Sequence, residues 1–222
     1  MKIRFSKSRA LLLNMNSYFQ REHMLRFAMQ FVSASKLKGD YLEFGVYKGK
    51  TFAGAYHLAQ AFNLDSMHFY AFDSFSGLPE IAGIDAAGFK HFEKNEYSCD
   101  LRNFTNNIYG LGVDKNKVHI TTGWFDKVLN ENTMKKLPLE KASVIWIDSD
   151  LYESAVPVLN FITNYLQNGT LIIFDDWFCF RGDPEKGEQK AFKEWLENNP
   201  QIKVSQYQKF NWQGNSFIVH VD

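Results

Sequence analysis

The stretch Val144-Ile145-Trp146-Ile147-Asp148-Ser149-Asp150-Leu151-Tyr152-Glu153-Ser154 decides the reading of this chain. An apolar run of β-branched and aromatic residues breaks abruptly into two carboxylates two positions apart, the pattern of a buried strand that delivers acid to an open edge. A second run, Thr170-Leu171-Ile172-Ile173-Phe174, ends the same way in Asp175-Asp176-Trp177. Open α/β sheets hold their ligands outside the carboxyl ends of their strands, so both acid pairs are expected at a binding edge.

Working outward, the chain alternates strand and helix. Residues 17–36 carry apolar side chains at mostly three- and four-residue spacing and read as an amphipathic helix. Tyr41-Leu42-Glu43-Phe44 is a short strand running into the turn Gly45-Val46-Tyr47-Lys48-Gly49-Lys50-Thr51 and a helix over 52–62. Met67-His68-Phe69-Tyr70-Ala71-Phe72 is the next strand and ends in Asp73. A helix over 100–109, a strand over 117–121 and a helix over 126–136 follow, and a helix over about 154–166 joins the two acid-tipped strands. After a polar loop, 181–187, come a helix over 188–197 and strands over 205–210 and 216–221. The link 211–215 is so short that these last two strands must form an antiparallel hairpin.

The pattern predicts an α/β fold: a doubly wound, mostly parallel sheet of seven strands with a C-terminal antiparallel hairpin, plus an N-terminal helical segment. The expected organisation is a helical segment, 1–38, packed on a single domain, 39–222. Residues 79–97 have no clean periodicity and exceed most connections in length, so they are expected to form a lid.

Composition narrows the function. With 25 basic and 25 acidic residues the formal net charge is zero, so no net field draws the chain to nucleic acid or an anionic membrane. No run approaches the roughly 18 apolar residues of a spanning helix. The run Ala10-Leu11-Leu12-Leu13 falls below a signal-peptide core. Cys99 and Cys179 show no metal spacing and suit a reducing compartment, so the expected location is cytoplasmic.

The glycine turn is expected to seat a ligand, because Gly45 and Gly49 permit close approach to the backbone and the helix starting near Thr51 offers free N–H groups. Two glycines four apart match neither the dinucleotide fingerprint nor the phosphate loop, although Gly49-Lys50-Thr51 imitates the end of the latter. Asp73, at the tip of the second strand of one βαβ unit, is placed to accept ribose hydroxyls. If the acid-tipped strands are neighbours, Asp148, Asp150, Asp175 and Asp176 converge and repel, and a divalent cation resolves that conflict. Oxygen-only donors suit a hard ion such as Mg2+. Asp148-Ser149-Asp150 also fits the Asp-x-Asp of metal-dependent glycosyltransferases, a pattern too short to be specific. An aspartyl-phosphate phosphatase is disfavoured by Tyr152, which stands where Thr or Val is usual.

Five ordered blocks then resemble one family. Residues 43–49, 72–79, 123–125, 147–154 and 174–177 together look like the macrocin O-methyltransferase (TylF/MycF) family of class I methyltransferases, over about 39–196. The resemblance implies S-adenosylmethionine as donor, Mg2+-dependent transfer to a hydroxyl of a sugar-like small molecule, and a homodimer. It places Glu43 and Gly45 at the methionine end, with the turn residues Val46, Tyr47, Gly49 and Thr51 beside them. It places Asp73 at the ribose, and Ser74, Phe75, Gly123 and Trp124 around the adenine. Asp148, Asp175 and Asp176 would hold the metal, and Asp150 would be the base or orient the acceptor. The rival readings are the glycosyltransferase and a non-catalytic domain that binds the cofactor only.

Overall fold

The computed structural model describes residues 7–88 and 91–221, with side chains of the first helix described from Gln20 on. The sheet has seven strands in the order β3-β2-β1-β4-β5-β7-β6. These are β1 (Asp40–Phe44), β2 (Phe69–Asp73), β3 (Val118–Thr122), β4 (Ala142–Ile147), β5 (Leu171–Phe174), β6 (Ile202–Phe210) and β7 (Gly214–Val221). The first five pair in parallel, and β7 runs antiparallel to both β5 and β6. The strand order reverses between β1 and β4, the switch point at which such sheets open a crevice.

Register makes that crevice. Phe72, Phe44, Ile147 and Phe174 are successive cross-strand partners, so they form one row across the sheet. The next residue on each strand, Asp73, Gly45, Asp148 and Asp175, therefore forms the row above it, at the carboxyl edge. The backbone ladder continues into this row through Gly45 N–H to Phe72 O at 2.9 Å, Asp148 N–H to Phe44 O at 2.8 Å and Asp175 N–H to Ile147 O at 2.9 Å. Gly45 has no alternative there: its φ is +85° and an added Cβ would lie 2.0 Å from the Asp148 carbonyl oxygen.

Both faces of the central strands β4 and β5 are covered, which is why they read as apolar runs. On one face Tyr41, Val144, Trp146, Leu171 and Ile173 pack with Met24, Leu25, Ala28, Met29 and Val32 of α1 (Lys7–Ala34) and Phe52, Ala53, Ala55 and Ala59 of α2 (Lys50–Ala61). Phe104 and Ile108 of α3 (Leu101–Gly110) close the same layer. On the other face Leu42, Phe44, Ile145, Ile147, Ile172 and Phe174 pack with Val158, Leu159 and Ile162 of α6 (Tyr152–Ile162) and Ala191, Phe192 and Trp195 of α7 (Gly187–Asn198).

Several boundaries differ from the sequence reading: α1 begins at Lys7 where the pattern predicts a start at 17, and α6 spans Tyr152–Ile162 where it predicts about 154–166. The single helix expected over 126–136 is two short ones, α4 (Phe125–Val128) and α5 (Glu131–Lys136). Asn130 separates them, because its side chain accepts the N–H groups of Asn132 and Thr133 and so starts a new helix. The terminal strands are longer than 205–210 and 216–221, and as a sheet edge β6 exposes most of its polar side chains. Among the described residues no helix is long and apolar enough to cross a membrane.

Candidate functional site

A cavity of about 980 Å³ opens above the carboxyl edge, at the upper end of the roughly 300–1,000 Å³ of small-molecule sites. Beneath one half lie the tips of β1, β2 and β3, which contribute Gly45, Tyr47, Asp73, Ser74, Gly123 and Trp124. Beneath the other lie the tips of β4 and β5, with Asp148, Ser149, Asp150 and Asp176, flanked by Arg21 and Gln213. Leu78, Pro79, Glu80, Ala82 and residues 94–97 form a further wall.

In the first half Asp73 joins two loops. Its Oδ2 accepts the N–H of Val46 at 2.8 Å and of Tyr47 at 3.3 Å, and its Oδ1 accepts the N–H of Phe75 at 2.6 Å. Burial raises its pKa, against the pull of these backbone donors. Tyr47 and Phe75 take left-handed φ values of +42° and +54°, a conformation that non-glycine residues hold only where the surroundings enforce it. Trp124 and Tyr47 are partly exposed, and Tyr97 meets Tyr47 edge-on at 5.9 Å.

Five residues expected at the cofactor are not among those that line the cavity. Val46 and Phe75 are core side chains, and Gly49 packs against Ile108 and Phe104. Thr51 stands in the first turn of α2 outside the cavity lining. Glu43 shares the side of β1 that carries Tyr41, whose hydroxyl donates to it at 2.6 Å, and burial raises its pKa well above the carboxylate range. It is 1% exposed.

In the second half, oxygens of Asp148, Asp150 and Asp176 come within 4.8 Å of one another. This is not the expected trio, since Asp150 stands where Asp175 was anticipated. Strand parity does not distinguish them, since Trp146 and Ile173 both face the α1 layer and Asp148 and Asp175, two residues on, share that side; Asp175 is the one taken by Arg21. Asp150, with φ +61°, turns the chain just past the β4 tip, within reach of Asp148 and Asp176. Burial first, and then neighbouring negative charge, raises the pKa values of Asp148, Asp150 and Asp176 well above the usual range. Asp176 Oδ1 accepts from Gln213 at 2.7 Å and from the Cys179 thiol at 3.3 Å. Its Oδ2 is buried without a hydrogen-bond partner.

Four participants had no role in the sequence reading. Arg21 and Glu188 are charges on the buried stripes of α1 and α7, in phase with Met24, Leu25 and Ala28 and with Ala191, Phe192 and Trp195. That phase was a legible signal, because a charge on an apolar stripe needs a buried partner. Gln213 comes from the turn between β6 and β7, and nothing local marks it. Asp85, in the 3-10 turn Gly83–Ala86, accepts the first N–H of α6 at Tyr152, 2.6 Å, and of α7 at Gly187, 3.0 Å. The wall expected to be a lid is thereby tied to two helix starts, and Phe92 packs on Phe180 with ring centroids 5.6 Å apart.

A family model described as Macrocin-O-methyltransferase (TylF) matches residues 17–202. The 8-demethyl-8-(2,3-dimethoxy-alpha-L-rhamnosyl)-tetracenomycin-C 4'-O-methyltransferase of Streptomyces olivaceus is 26% identical over 157 residues, covering 69% of this chain and 58% of that protein. The mycinamicin III 3''-O-methyltransferase of Micromonospora griseorubida is 25% identical over 164 residues, covering 71% and 63%. The chain thus spans less than two thirds of these relatives' length. Among solved structures, the O-methyltransferase NovP superposes with a TM-score of 0.75 at 20% identity, covering 90% of this chain and 79% of that one. The calicheamicin methyltransferase CalS11 gives 0.71 at 16% identity, covering 89% and 77%.

Proposed function

Because the chain belongs to the macrocin-O-methyltransferase (TylF) family, we propose that it transfers a methyl group from S-adenosylmethionine to a hydroxyl of a sugar or sugar-containing small molecule, with Mg2+ held at the acid tips. The observation that carries this reading is the single cavity uniting the Asp73 and Gly45 half with the half formed by Asp148, Asp150 and Asp176. A relative whose named substrate carries a rhamnosyl group supports the substrate class.

The residues present fit a hard divalent ion. Three carboxylates with donor atoms within 4.8 Å, two of them buried, repel one another, and the orphaned Oδ2 of Asp176 lacks the partner a buried oxygen requires. In this reading Asp148 and Asp176 would hold the ion, and Asp150 beside them would take the proton. Bound there, Mg2+ lowers the pKa of a hydroxyl that it coordinates.

The chain's own work is to align two reactants and remove one proton. Asp73 is preset by three backbone N–H groups to keep its remaining lone pairs toward ribose hydroxyls. Gly45 lets the methionine end approach the backbone, and Trp124 offers its partly exposed ring to the adenine. Asp150 accepts the acceptor's hydroxyl proton. A homodimer, which the resemblance implies, and a cytoplasmic location, which two cysteines without metal spacing suit, belong to the same proposal.

Isothermal titration with S-adenosylhomocysteine, followed by mass-spectrometric detection of methyl transfer to a panel of sugars, tests the reading. S-adenosylhomocysteine binding with Mg2+-dependent transfer is expected, and Asp150→Asn should cut transfer at least 10²-fold with cofactor affinity kept. Tight binding of a nucleotide-sugar in place of S-adenosylhomocysteine would establish the glycosyltransferase instead.

A further inference from the structure

We propose that Glu188 is a positioning residue that sets the spacing between the two acid tips; the inference rests on the metal site proposed above. Glu188 is the second residue of α7 and is 1% exposed. Its two oxygens serve two different strands. Oε1 accepts the N–H of Ser149 at 3.3 Å and its hydroxyl at 3.2 Å, while Oε2 accepts the N–H of Asp176 at 3.1 Å. Ser149 lies between Asp148 and Asp150, so one carboxylate holds both acid-bearing tips.

The tips need such a link. The parallel ladder between β4 and β5 ends where Asp175 N–H reaches Ile147 O, and the acids of the trio lie at or beyond that point. Past it, the separation of the tips is set by loop conformation and by whatever bridges them. Burying another carboxylate beside Asp148, Asp150 and Asp176 is electrostatically unfavourable, and among the described residues no ion pair to Glu188 offsets it. Glutamine would fill the same volume without that charge. It could accept at only one end, however, and would turn an NH2 group toward an N–H at the other. Two accepting ends separate the positioning role from simple helix-dipole stabilisation, which any first-turn acid supplies and which acts through no other residue.

The isosteric variant Glu188→Gln tests this by three readouts: Mn2+ affinity from the free-ion signal in electron paramagnetic resonance, S-adenosylhomocysteine affinity by calorimetry, and kcat against KM. Expected are Mn2+ binding weakened about 10- to 100-fold, as for other outer-shell changes, a lower kcat, and cofactor affinity within about twofold of the wild type. Glu188→Asp, which keeps two acceptors on a shorter arm, should recover part of the Mn2+ affinity. If Glu188→Gln does not fold, Ser149→Ala removes only the hydroxyl arm and should weaken Mn2+ binding in the same direction. Unchanged Mn2+ affinity in folded Glu188→Gln, or in Ser149→Ala where that variant stands in, overturns the positioning role alone. A wild type that binds no Mn2+ overturns the metal reading, and this inference with it.

Discussion

Arg21 of α1 and Asp175 beyond β5, 154 positions apart, form a two-pronged ion pair in which Nε donates to Oδ1 at 2.8 Å and a terminal nitrogen donates to Oδ2. Asp175 is fully buried, and the neighbouring acids help to hold Arg21 protonated. The pair neutralises one carboxylate of a crowded edge and fastens the N-terminal helix to it.

Arg21→Ala leaves that carboxylate buried and unpaired. The loss is expected to be about 2–3 kcal/mol by urea unfolding, below the ~3–5 kcal/mol of a fully buried pair because the arginine side chain is 31% exposed. Arg21→Lys should lose less, keeping the charge but not the fork.

Asp73→Asn removes one of the two accepting ends that join the β1 and β2 loops. Hydrogen bonds to a charged group contribute about 1.5–3 kcal/mol, so S-adenosylhomocysteine should bind about 10- to 100-fold more weakly. Calorimetry checks this, and unchanged affinity would exclude Asp73 from the cofactor site.

The metal-free protein should lose stability as pH rises. Raised pKa values at Asp148, Asp150 and Asp176 mean that the folded state binds more protons than the unfolded one. The contribution is full below the ordinary carboxylate value of about 4 and is lost as pH climbs through the raised values. A divalent cation should flatten or reverse the trend by favouring the ionised acids. Melting temperatures across that range, in EDTA and in Mg2+, provide the measurement.

Asp85→Ala removes the acceptor from two helix starts. At about 1 kcal/mol per cap the loss is about 2 kcal/mol, or about 4–8 °C in melting temperature for a chain of this size. Since the same loop walls the cavity, the acceptor KM should rise more than the S-adenosylhomocysteine Kd. An equal rise in both would mean that the wall serves the whole cavity.

Much of the fold was legible because it follows from local periodicity. Apolar runs bounded by a glycine turn and by acids mark strands buried on both faces, and the short link before Ser216 marks the hairpin. The helix over 126–136 divides where local pattern does not show it, because Asn130 suits a polar helix face or a cap equally well and only its hydrogen bonds decide. Arg21 and Glu188 were readable as charges in phase with apolar stripes, yet their partners were not.

The sequence by itself determined that acids stand at the ends of two buried strands and that Gly45 stands at the end of a third, because strand ends and tight turns are set by neighbours along the chain. Only the tertiary structure decided which acids meet. Arg21 of the distant α1 takes Asp175, and the left-handed Asp150 lies with Asp148 and Asp176. Gln213 and Glu188 arrive from distant elements to hold the result. Pairings of that kind depend on how whole layers pack, which no local spacing contains.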